Sequence, residues 1–323
     1  MSIEFQVLGD AGRDNALFVR IDNGQAVSRL LFDCGEGCLS ALPFAEVQAV
    51  DHLFFSHLHI DHVAGFDGFF RCAYGRDAKQ NHIWGPPETT EILHHRFRGF
   101  LWNLVAGQLG TRRFELGEAF AVAHEEADRP YDGLIVDEPG YTVVVALMDH
   151  ATPSAAYLVR EKPRVNIDAG ILASLGLRPG PWLKQLREPP ADLAKTVVID
   201  GQSHLLAELR ERLVKTTPGD SIAYLTDFRM DEAALARLAV FLRDCKTVVC
   251  ECQYRHADFE LAERNYHMTA RLAAEAARRA RVGRLVLFHL SDRYGCEEWL
   301  EMLAEAREVF PDTEYPERWR VDE

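Results

Sequence analysis

The sequence predicts an α/β fold in which two β-sheets pack face to face and helices cover their outer sides. Short apolar strands dominate the first half of the chain, whereas strands and helices alternate in the second half. The 323 residues, of which 47% are hydrophobic, suffice for a large core, and no repeat of fixed period divides the chain. We therefore expect one α/β sandwich domain that spans residues 1–323.

Apolar runs bounded by turn residues define the strands and helices of the first half. The Asp22-Asn23-Gly24 turn is expected to join the second and third strands as a hairpin. Strands are predicted at Ile3–Leu8, Ala16–Ile21, Val27–Phe32, Val50–Ser56, Ala119–Ala123, Tyr141–Met148 and Ala156–Val159. Helices are predicted at Val63–Tyr74 and at Pro86–Leu101, the second of which a proline opens.

The second half alternates between strands and helices, as a sandwich with outer helices requires. Strands are predicted at Thr196–Ile199, Ser221–Thr226, Thr247–Glu251 and Arg284–His289. Helices are predicted at Leu205–Val214, Glu232–Arg243, Thr269–Arg281 and Glu297–Val309. We expect these elements to belong to the sandwich and the polar segment Pro311–Glu323 to be peripheral.

The segment 160–190 departs from this pattern. It contains five prolines and three glycines and is too long for an ordinary connection between two elements. Its six basic residues outnumber its three acidic ones, whereas the chain as a whole has a net charge of −14. We expect an inserted flexible arm at residues 160–190, whose positive charge would allow an acidic protein to bind phosphate groups. The alternative is an ordinary surface excursion of mixed charge.

Composition and charge exclude several classes of protein. The net charge of −14 argues against non-specific binding of a nucleic-acid backbone over the whole surface. No stretch approaches the roughly 18 apolar residues that a membrane helix needs. Seven cysteines without a recognisable signal peptide are typical of proteins whose thiols stay reduced. We expect a soluble, cytoplasmic protein with no membrane partner.

A cluster of metal-ligand residues follows the predicted strand Val50–Ser56. It reads His57-Leu58-His59-Ile60-Asp61-His62. Imidazole nitrogens and carboxylate oxygens are the ligands that zinc prefers alongside thiolates. Residues two apart on extended backbone point to the same side, so the first two histidines could bind one ion. The aspartate and the last histidine would lie beyond the turn, where they could serve a second ion.

Three further ligand-type residues stand at the ends of predicted strands, where a rigid scaffold could aim them at a shared site. His150 follows the apolar run Val143–Met148, and Asp227 follows Ile222–Thr226. His289 ends the apolar run Leu285–Phe288. Each of these residues alone would more often cap a turn or satisfy a core hydrogen bond. Together with the histidine cluster, they predict a site for two metal ions.

Several motifs occur in an order that resembles one known family. They are Phe32-Asp33-Cys34-Gly35-Glu36, Ser56–His62, His150–Tyr157, Gly180-Pro181, Ala223–Asp227, His267-Met268-Thr269 and His289–Tyr294. Over nearly its whole length the sequence resembles the RNase Z branch, the tRNA 3′-processing endonucleases, of the metallo-β-lactamase superfamily. The resemblance implies a metallo-β-lactamase αββα sandwich with a protruding arm.

The resemblance also implies a site for two Zn²⁺ ions, with Mn²⁺ or Fe²⁺ as alternatives. His57, His59 and His150 would hold one ion, Asp61, His62 and His289 would hold the other, and Asp227 would bridge both together with a water. Two adjacent metal ions lower the pKa of that water and stabilise both oxygens of an in-line displacement at phosphorus. The expected enzyme is a dinuclear zinc hydrolase.

The same resemblance implies which residues move protons. His267 and Glu251 would deliver a proton to the departing 3′ oxygen, a task that suits an imidazole near neutral pH. Asp61 would help to deprotonate the attacking water. The expected reaction is endonucleolytic removal of 3′ trailers from precursor tRNA, which leaves a 3′-hydroxyl on the tRNA.

The arm would grip the tRNA elbow, so precursor tRNA is the expected partner. Lys184 and Arg187 in the arm, and Arg293 in the Ser291–Tyr294 segment, are the candidates for contact with the substrate. Members of the family usually form homodimers in which the arm of one subunit serves the active site of the other. We expect a homodimer here as well.

Two other functions stay open on the residues alone. The same metals could hydrolyse a small phosphodiester or another ester, with the arm put to a different use. A metal-binding scaffold without catalytic activity is the second alternative, and the complete ligand set disfavours it. These functions differ in their expected action on precursor tRNA and on a small phosphodiester.

Overall fold

The computed structural model describes residues 3–24, 26–73, 79–98, 133–187, 192, 194–319 and 321. The chain divides into two compact units. The main unit comprises Met1–Arg160 and Asp220–Glu323, and the inserted unit comprises Glu161–Gly219. The predicted strand at Ala119–Ala123 lies outside the described residues.

The main unit contains a five-stranded sheet with strand order β1-β2-β3-β4-β5. Its strands are β1 (Ile3–Leu8), β2 (Ala16–Asp22), β3 (Val27–Phe32), β4 (His52–Phe54) and β5 (His82–Trp84). The first three strands are antiparallel, with the predicted hairpin between β2 and β3, whereas β3, β4 and β5 run parallel. The strand that precedes the histidine cluster, β4, therefore lies between β3 and β5, and all three of its residues are buried.

A second, seven-stranded sheet has the order β16-β15-β14-β13-β8-β7-β6. Its strands are β6 (Gly133–Asp137), β7 (Tyr141–Asp149), β8 (Pro153–Glu161), β13 (Ser221–Leu225), β14 (Thr247–Glu251), β15 (Arg284–Phe288) and β16 (Thr313–Glu314). Strands β13 to β16 are parallel to one another, and β8 pairs with β13 in the antiparallel sense. The carboxyl ends of β13, β14 and β15 therefore meet at one edge.

Helices flank these sheets in the main unit. They are α1 (Phe44–Gln48), α2 (Ile60–Val63), α3 (Phe66–Ala73), α4 (Thr89–Arg98), α7 (Glu232–Phe241), α8 (Phe259–Arg264), α9 (Ala270–Ala280) and α10 (Cys296–Val309), with 3₁₀ turns at Cys38–Ala41 and His256–Asp258. Helix α9 buries six alanines and packs on β14 and β15. No helix among the described residues is both long enough and apolar enough to cross a lipid bilayer.

The core lies between the two sheets and follows the two-residue period of the strands. In β3, Leu30 and Phe32 belong to this inner core, whereas Leu31 belongs to the outer core beneath the helices. The ring of Phe32 lies 5.5 Å from that of Tyr157 in β8 and 5.7 Å from that of Tyr224 in β13. Aromatic rings from both sheets thus interlock, which gives the predicted sandwich of two sheets with helices outside.

Two predicted helices have different bounds in the structure. The helix predicted at Val63–Tyr74 is divided into α2 and α3 around Gly65, whose amide donates to the carbonyl of Cys34 at 2.8 Å. A Cβ at Gly65 would lie 2.4 Å from the carbonyl oxygen of Gly35, so the close approach of two backbones causes the break. The helix predicted from Pro86 begins at Thr89, whose hydroxyl donates back to the carbonyl of Pro86 at 2.7 Å.

The inserted unit has its own small core. It contains β9 (Arg164–Ile167) paired with β12 (Val214–Thr217), β10 (Thr196–Ile199) paired with β11 (Gln202–Leu205), helices α5 (Ala169–Ser174) and α6 (Leu206–Leu213), and a 3₁₀ turn at Pro181–Leu186. The buried residues of this core are Leu172, Trp182, Leu186, Ile199, Leu206, Leu209 and Leu213. These residues come from both sides of position 190.

The assignment of two predicted elements to the sandwich was therefore wrong. Among the described residues, the strand at Thr196–Ile199 pairs with β11 alone, and the helix predicted at Leu205–Val214 is α6, which packs in the inserted unit. The inserted unit extends to Gly219, well past the arm predicted at residues 160–190. Periodicity identified the apolar face of α6, but it does not indicate which core that face enters.

Candidate metal centre

The ends of five strands place ligand-type residues at one end of the sandwich. His57 follows β4, His150 directly follows β7, and His289 directly follows β15. Asp227 lies two residues beyond β13, and Glu251 is the last residue of β14. Parallel strands present their carboxyl ends at the same edge of a sheet, which is where binding sites form in such folds. The rigid sheet therefore aims side chains that are far apart in sequence at one point.

The first predicted ligand group comes together. The side chains of His57, His59 and His150 each place one ring nitrogen within 4.8 Å of the others. The centroid of the His57 ring lies 4.5 Å from that of the His59 ring and 5.0 Å from that of the His150 ring. His57 and His150 are buried and His59 is exposed, so this group opens to solvent on one side. Three imidazoles at this spacing could hold one metal ion.

The side chains of the second predicted group also lie close together, and they are adjacent to those of the first group. Asp61, His62, Asp227 and His289 place one ligand atom each within 4.8 Å of one another. Asp227 Oδ2 lies 3.4 Å from His62 Nε2, and 3.7 Å from the Nε2 atoms of both His57 and His150. The carboxylate of Asp227 therefore faces both groups, as a bridging ligand must.

Unpaired nitrogen atoms show that these residues fit a metal. Among the described residues, four buried imidazole nitrogens have no hydrogen-bond partner: His57 Nε2, His62 Nε2, His289 Nδ1 and, in the inserted unit, His204 Nε2. A buried polar atom without a partner costs free energy, so folded proteins rarely retain one without a reason. The first three of these atoms belong to the two ligand groups. A metal ion at each group would satisfy them.

Asp33 orients two of the histidines from behind. It is fully buried, and its Oδ2 accepts hydrogen bonds from His62 Nδ1 at 2.7 Å, from the hydroxyl of Ser56 at 2.6 Å and from the hydroxyl of Tyr224 at 2.9 Å. Since the Ser56 hydroxyl donates to Asp33, it accepts from His57 Nδ1 at 3.1 Å. Both rings therefore carry their proton on Nδ1 and present Nε2 to the centre, as metal-bound histidines do.

Sequence reasoning did not assign this role to Asp33. The residue was part of a recognised motif, and it follows strand β3 just as the candidate ligands follow their strands. Its φ of 57° is a further local feature, since aspartate tolerates the left-handed region better than most residues. Its position after an apolar strand was the signal that could have found it.

Asn15 is a second supporting residue that sequence reasoning missed. Its side chain is buried, its Oδ1 accepts from the amide of His289 at 3.2 Å, and its Nδ2 donates to the carbonyl groups of Leu8 and Asp10 at 3.3 and 3.1 Å. These bonds fix the backbone of His289, which has a φ of 56°. Nothing in the local sequence distinguishes Asn15 from an ordinary loop residue, because its partner is 274 positions away.

Burial keeps two histidines of the first group, His57 and His150, neutral. Burial, reinforced by the neighbouring His62, lowers the pKa of His57 to about 2. Burial likewise lowers the pKa of His150, whose Nδ1 donates to the carbonyl oxygen of Tyr266 at 2.7 Å. Neutral imidazole is the form that binds metal, so these rings are ready to bind at pH 7.

The second group, by contrast, has an excess of negative charge. Burial opposes a proton on His289, but the carboxylates of Asp227 and Asp61 outweigh it and raise the pKa of His289 to about 10. The pKa of His62 is raised in the same way, against burial, by Asp227 and Asp33. In the metal-free chain, protons on these two rings balance the carboxylates. Metal cations would replace those protons.

His267 and Glu251 form the predicted pair beside the metal groups. His267 Nδ1 lies 3.1 Å from Glu251 Oε2 and 4.0 Å from Asp227 Oδ2. Glu251 is fully buried, whereas the His267 side chain is 12% exposed. Burial opposes a charge on the ring, but Glu251 outweighs it and raises the pKa of His267. This arrangement favours a protonated imidazole with Nδ1 held by Glu251, which leaves Nε2 to donate a proton.

The three predicted substrate residues occupy different places. Lys184 and Arg187 are exposed in the inserted unit, at the 3₁₀ turn Pro181–Leu186. Arg293 is exposed in the main unit, and its Cζ lies 5.4 Å from the centroid of the Tyr254 ring. That ring lies 5.8 Å from the ring of His267. The ring of Tyr254 is therefore in contact with both Arg293 and His267.

Comparison of the sequence with known proteins identifies its relatives. A family model described as the beta-lactamase superfamily domain matches residues 28–166. A ribonuclease Z of Deinococcus radiodurans is 45% identical over 326 aligned positions, which cover 97% of each chain. A ribonuclease Z of Geobacillus kaustophilus is 33% identical, with 90% of this chain and 87% of that one covered.

A solved structure also resembles the chain. The metallo-β-lactamase fold protein YhfI of Bacillus subtilis has a TM-score of 0.57 over 98% of this chain and 96% of that chain. The sequence identity is 15%, so this likeness concerns the fold alone. With the family model and the two facing sheets, it confirms the predicted metallo-β-lactamase fold.

Proposed function

The chain belongs to the ribonuclease Z family, and we propose that it is a zinc-dependent endoribonuclease that removes 3′ trailers from precursor tRNA. The observation that carries the proposal is the meeting of two candidate metal groups at Asp227, with the His267–Glu251 pair beside them. This combination provides for both halves of phosphodiester hydrolysis, attack by water and departure of an alcohol.

The residues of the chain divide the reaction between them. One zinc would be held by His57, His59 and His150, and the other would be held by Asp61, His62 and His289. Asp227 would be a ligand of both. Bound zinc would supply a water of lowered pKa and would stabilise charge on the phosphate oxygens. Asp61, which is partly exposed, would take up the proton of the attacking water. His267 would give a proton to the departing 3′ oxygen from Nε2, while Glu251 holds the ring.

Zinc is the metal that we propose, on the chemistry of the donor set. Five imidazoles and two carboxylates, without any thiolate, are typical of catalytic zinc sites. Manganese or iron would be bound by the same donors, in the order of affinity that such sites generally follow. Elemental analysis of the protein purified without chelator decides between these metals, and about two ions per chain are expected.

A direct assay tests the activity itself. The purified protein is incubated with a precursor tRNA and with bis-(p-nitrophenyl) phosphate, each with and without chelator. We expect cleavage of both substrates and loss of both activities when the metal is removed. Hydrolysis of the small diester alone would support a small-molecule phosphodiesterase instead. Activity on neither substrate, with metal bound, would support a non-catalytic scaffold.

Metal uptake by the metal-free chain should release protons at pH 7. The pKa of His289 is about 10 against an ordinary value of 6.5, so its charged form stabilises the metal-free fold below about pH 6.5, and this stabilisation is lost as the pH rises through 10. The pKa of His62 is raised as well. Metal must displace both protons, so binding should strengthen as the pH rises.

Calorimetric titration with zinc in buffers of different ionisation enthalpy measures this release. About two protons per chain are expected at pH 7. The variant His95→Ala serves as the control, because His95 is an exposed helix residue far from the ligand groups in sequence and should leave the proton count unchanged. A heat of binding that is the same in all buffers would contradict the assigned charge state.

The inserted unit is proposed as the part that binds tRNA away from the scissile bond. Its Glu161–Gly219 range contains nine basic and seven acidic side chains, whereas the whole chain has a net charge of −14. Lys184, Arg187 and Arg178 are exposed on it. A local excess of positive charge would attract the phosphate backbone to this unit rather than to the rest of the surface.

Deletion of the whole inserted unit should impair RNA cleavage and spare the small diester. Arg160 and Ser221 are paired neighbours on β8 and β13, so a short glycine linker from Arg160 to Asp220 would close the gap. Deletion of 160–190 alone would leave Leu206, Leu209 and others of the small core without their partners. With the full deletion, kcat/KM for precursor tRNA should fall at least about 100-fold, mainly through KM.

Point variants provide the control for this deletion. The double variant Lys184→Ala with Arg187→Ala removes two exposed charges without touching the core of the unit, and should weaken RNA binding and its dependence on salt. The double variant Glu208→Ala with Glu211→Ala, on the exposed side of α6, should not weaken it. If the deletion lowers activity equally on both substrates, the sandwich was damaged. If activity on both substrates is retained, the inserted unit does not bind tRNA.

The proposal includes a cytoplasmic homodimer. All seven cysteines are free thiols, which suits a reducing compartment where precursor tRNA is processed. The dimer follows from the family resemblance, in which one subunit's inserted unit serves the other's active site. Sedimentation velocity tests it, and mixing a deletion variant with a His267→Ala variant should restore RNA cleavage if the units act across subunits.

A further inference from the structure

Tyr266, next to the candidate metal centre, has a backbone conformation that its side chain disfavours. Its φ is 58°, in the left-handed region that large residues rarely adopt. Tyr266 follows Asn265, the residue that caps helix α8. The amide of Tyr266 donates to the carbonyl of Glu263 at 3.2 Å, and that of His267 donates to the carbonyl of Ala262 at 2.9 Å. This pair of bonds is a Schellman motif, in which glycine normally occupies the position of Tyr266.

The peptide unit of Tyr266 supports two residues of the site at once. Its carbonyl oxygen accepts the hydrogen bond from His150 Nδ1 at 2.7 Å. The residue that follows is His267, whose ring lies 3.1 Å from Glu251. A rotation of this peptide would move the acceptor of His150 and the backbone of His267 together. The conformation of one residue therefore sets the positions of two imidazoles.

The ring of Tyr266 is held by Arg229. The guanidinium carbon of Arg229 lies 5.2 Å from the centroid of the Tyr266 ring, a cation–π contact. Arg229 also binds Asp149, through its amide to the carbonyl at 2.9 Å and through Nη2 to the carboxylate at 3.3 Å. Asp149 directly precedes His150, and Arg229 itself lies two residues beyond Asp227. Arg229 therefore ties together the three loops that carry His150, Asp227 and the Tyr266 peptide.

We propose that Arg229 and Tyr266 are a positioning pair that fixes His150 and His267 for phosphodiester cleavage. Glycine at position 266 would remove the conformational strain of the backbone, but it would also remove the aromatic ring that contacts Arg229. The tyrosine is therefore present in spite of its conformational cost, which is typical of strain at functional sites. The inference rests on the proposed function, because it assigns these residues to the same site. Neither residue would touch the metal or the reacting atoms.

The variant Tyr266→Gly separates positioning from folding. Because glycine suits the Schellman position, the midpoint of thermal unfolding should stay the same or rise. The kcat for precursor tRNA should nevertheless fall about 10- to 100-fold, with KM unchanged, since small displacements of reacting groups have effects of this size. Tyr266→Phe retains the ring and should keep the wild-type kcat. A Tyr266→Gly variant with the wild-type kcat would overturn the proposal.

The variant Arg229→Met tests the other half of the pair. It should lower kcat to a similar extent, and the double variant with Tyr266→Gly should be no worse than either single one, because each removes the same contact. Arg284→Met is the matched control: Arg284 lies 5.1 Å from the ring of Phe5 and 3.4 Å from Glu314, at the opposite end of β15 from His289. It should leave kcat unchanged. Additive effects of the two site variants would overturn the pairing.

A readout without nuclease activity keeps this test separate from the proposed function. In the zinc-loaded protein, the nuclear magnetic resonance signal of the His150 Nδ1 proton reports its bond to the Tyr266 carbonyl. Tyr266→Gly and Arg229→Met should shift this signal and speed the loss of zinc to a chelator by about tenfold. If the wild-type protein cleaves no RNA, these two readouts still show whether Arg229 and Tyr266 position His150. An unchanged signal and an unchanged rate of zinc loss would overturn the proposal.

Discussion

Replacement of Asp227 by asparagine should reduce the hydrolysis of precursor tRNA and of bis-(p-nitrophenyl) phosphate by about 10³-fold or more. The substitution keeps the size of the side chain and its tolerance of the left-handed φ of 49°. It removes the one carboxylate that lies within 3.7 Å of His57, His62 and His150. Both candidate metal groups lose a ligand and a negative charge, so metal content should fall as well.

The chain offers a closely matched control for this substitution. Asp244 also has a left-handed backbone, with a φ of 57°, but its side chain is exposed and pairs with Arg281 on the surface. Asp244→Asn should leave metal content and both activities within about twofold, because exposed ion pairs contribute little. Full activity in Asp227→Asn, measured with metal content, would remove the basis of the proposed bridge.

Replacement of His267 by alanine should have a large effect that depends on the leaving group. A 3′ alkoxide needs a proton to depart, whereas p-nitrophenolate leaves without one. Cleavage of precursor tRNA should therefore fall by about 10²- to 10⁴-fold, the usual contribution of a positioned general acid, while hydrolysis of the small diester changes little. The fully buried Glu251 carboxylate, 3.1 Å from the His267 ring, should then keep the more distant His289, whose Nδ1 lies 3.6 Å from Glu251 Oε2.

Two variants and one measurement complete this test. His256→Ala, an exposed histidine on the same segment, should leave both activities unchanged. Glu251→Gln should resemble His267→Ala on RNA, because the pKa of His267 is raised mainly by Glu251 against the effect of burial. Metal content is measured in each variant, since a displaced metal would depress both reactions. If metal is retained and RNA cleavage falls less than about threefold, His267 is not the acid.

The convergence of the candidate ligands was predictable because these residues lie at or just beyond the ends of strands. A sequence pattern locates an apolar strand well, and parallel strands bring their carboxyl ends to one edge. His150, Asp227 and His289 each follow such a strand, and the structure brings them together with the His57–His62 cluster. The predicted fold is confirmed for the same reason: the strands and their order carry most of its architecture.

Other features depended on contacts between positions that no local pattern connects. Asn15 supports His289 from 274 residues away, and its neighbours in sequence give no indication of that bond. The inserted unit was underestimated because Leu206 and Leu209 form a core with Trp182, on the far side of Pro189 and Pro190. The left-handed conformation of Tyr266 contradicts its residue type, so propensity alone predicts the opposite.

The bond between Asn15 and His289 has a consequence for the time at which the centre can form during synthesis. The amide of His289 reaches the first loop across 274 positions, and Trp319 donates to the carbonyl of Gly9 across 310 positions at 2.9 Å. Synthesis proceeds from the N-terminus, so a contact with a residue near the end of the chain can form only late in synthesis. A nascent chain that has not reached residue 289 holds the first histidine group but neither completes the second nor fixes its loop.

Metal loading at both positions therefore follows the synthesis of nearly the whole chain. The second ligand group can be complete only after residue 289 has been synthesised, and by then Asn15 is already present to fix the loop of His289.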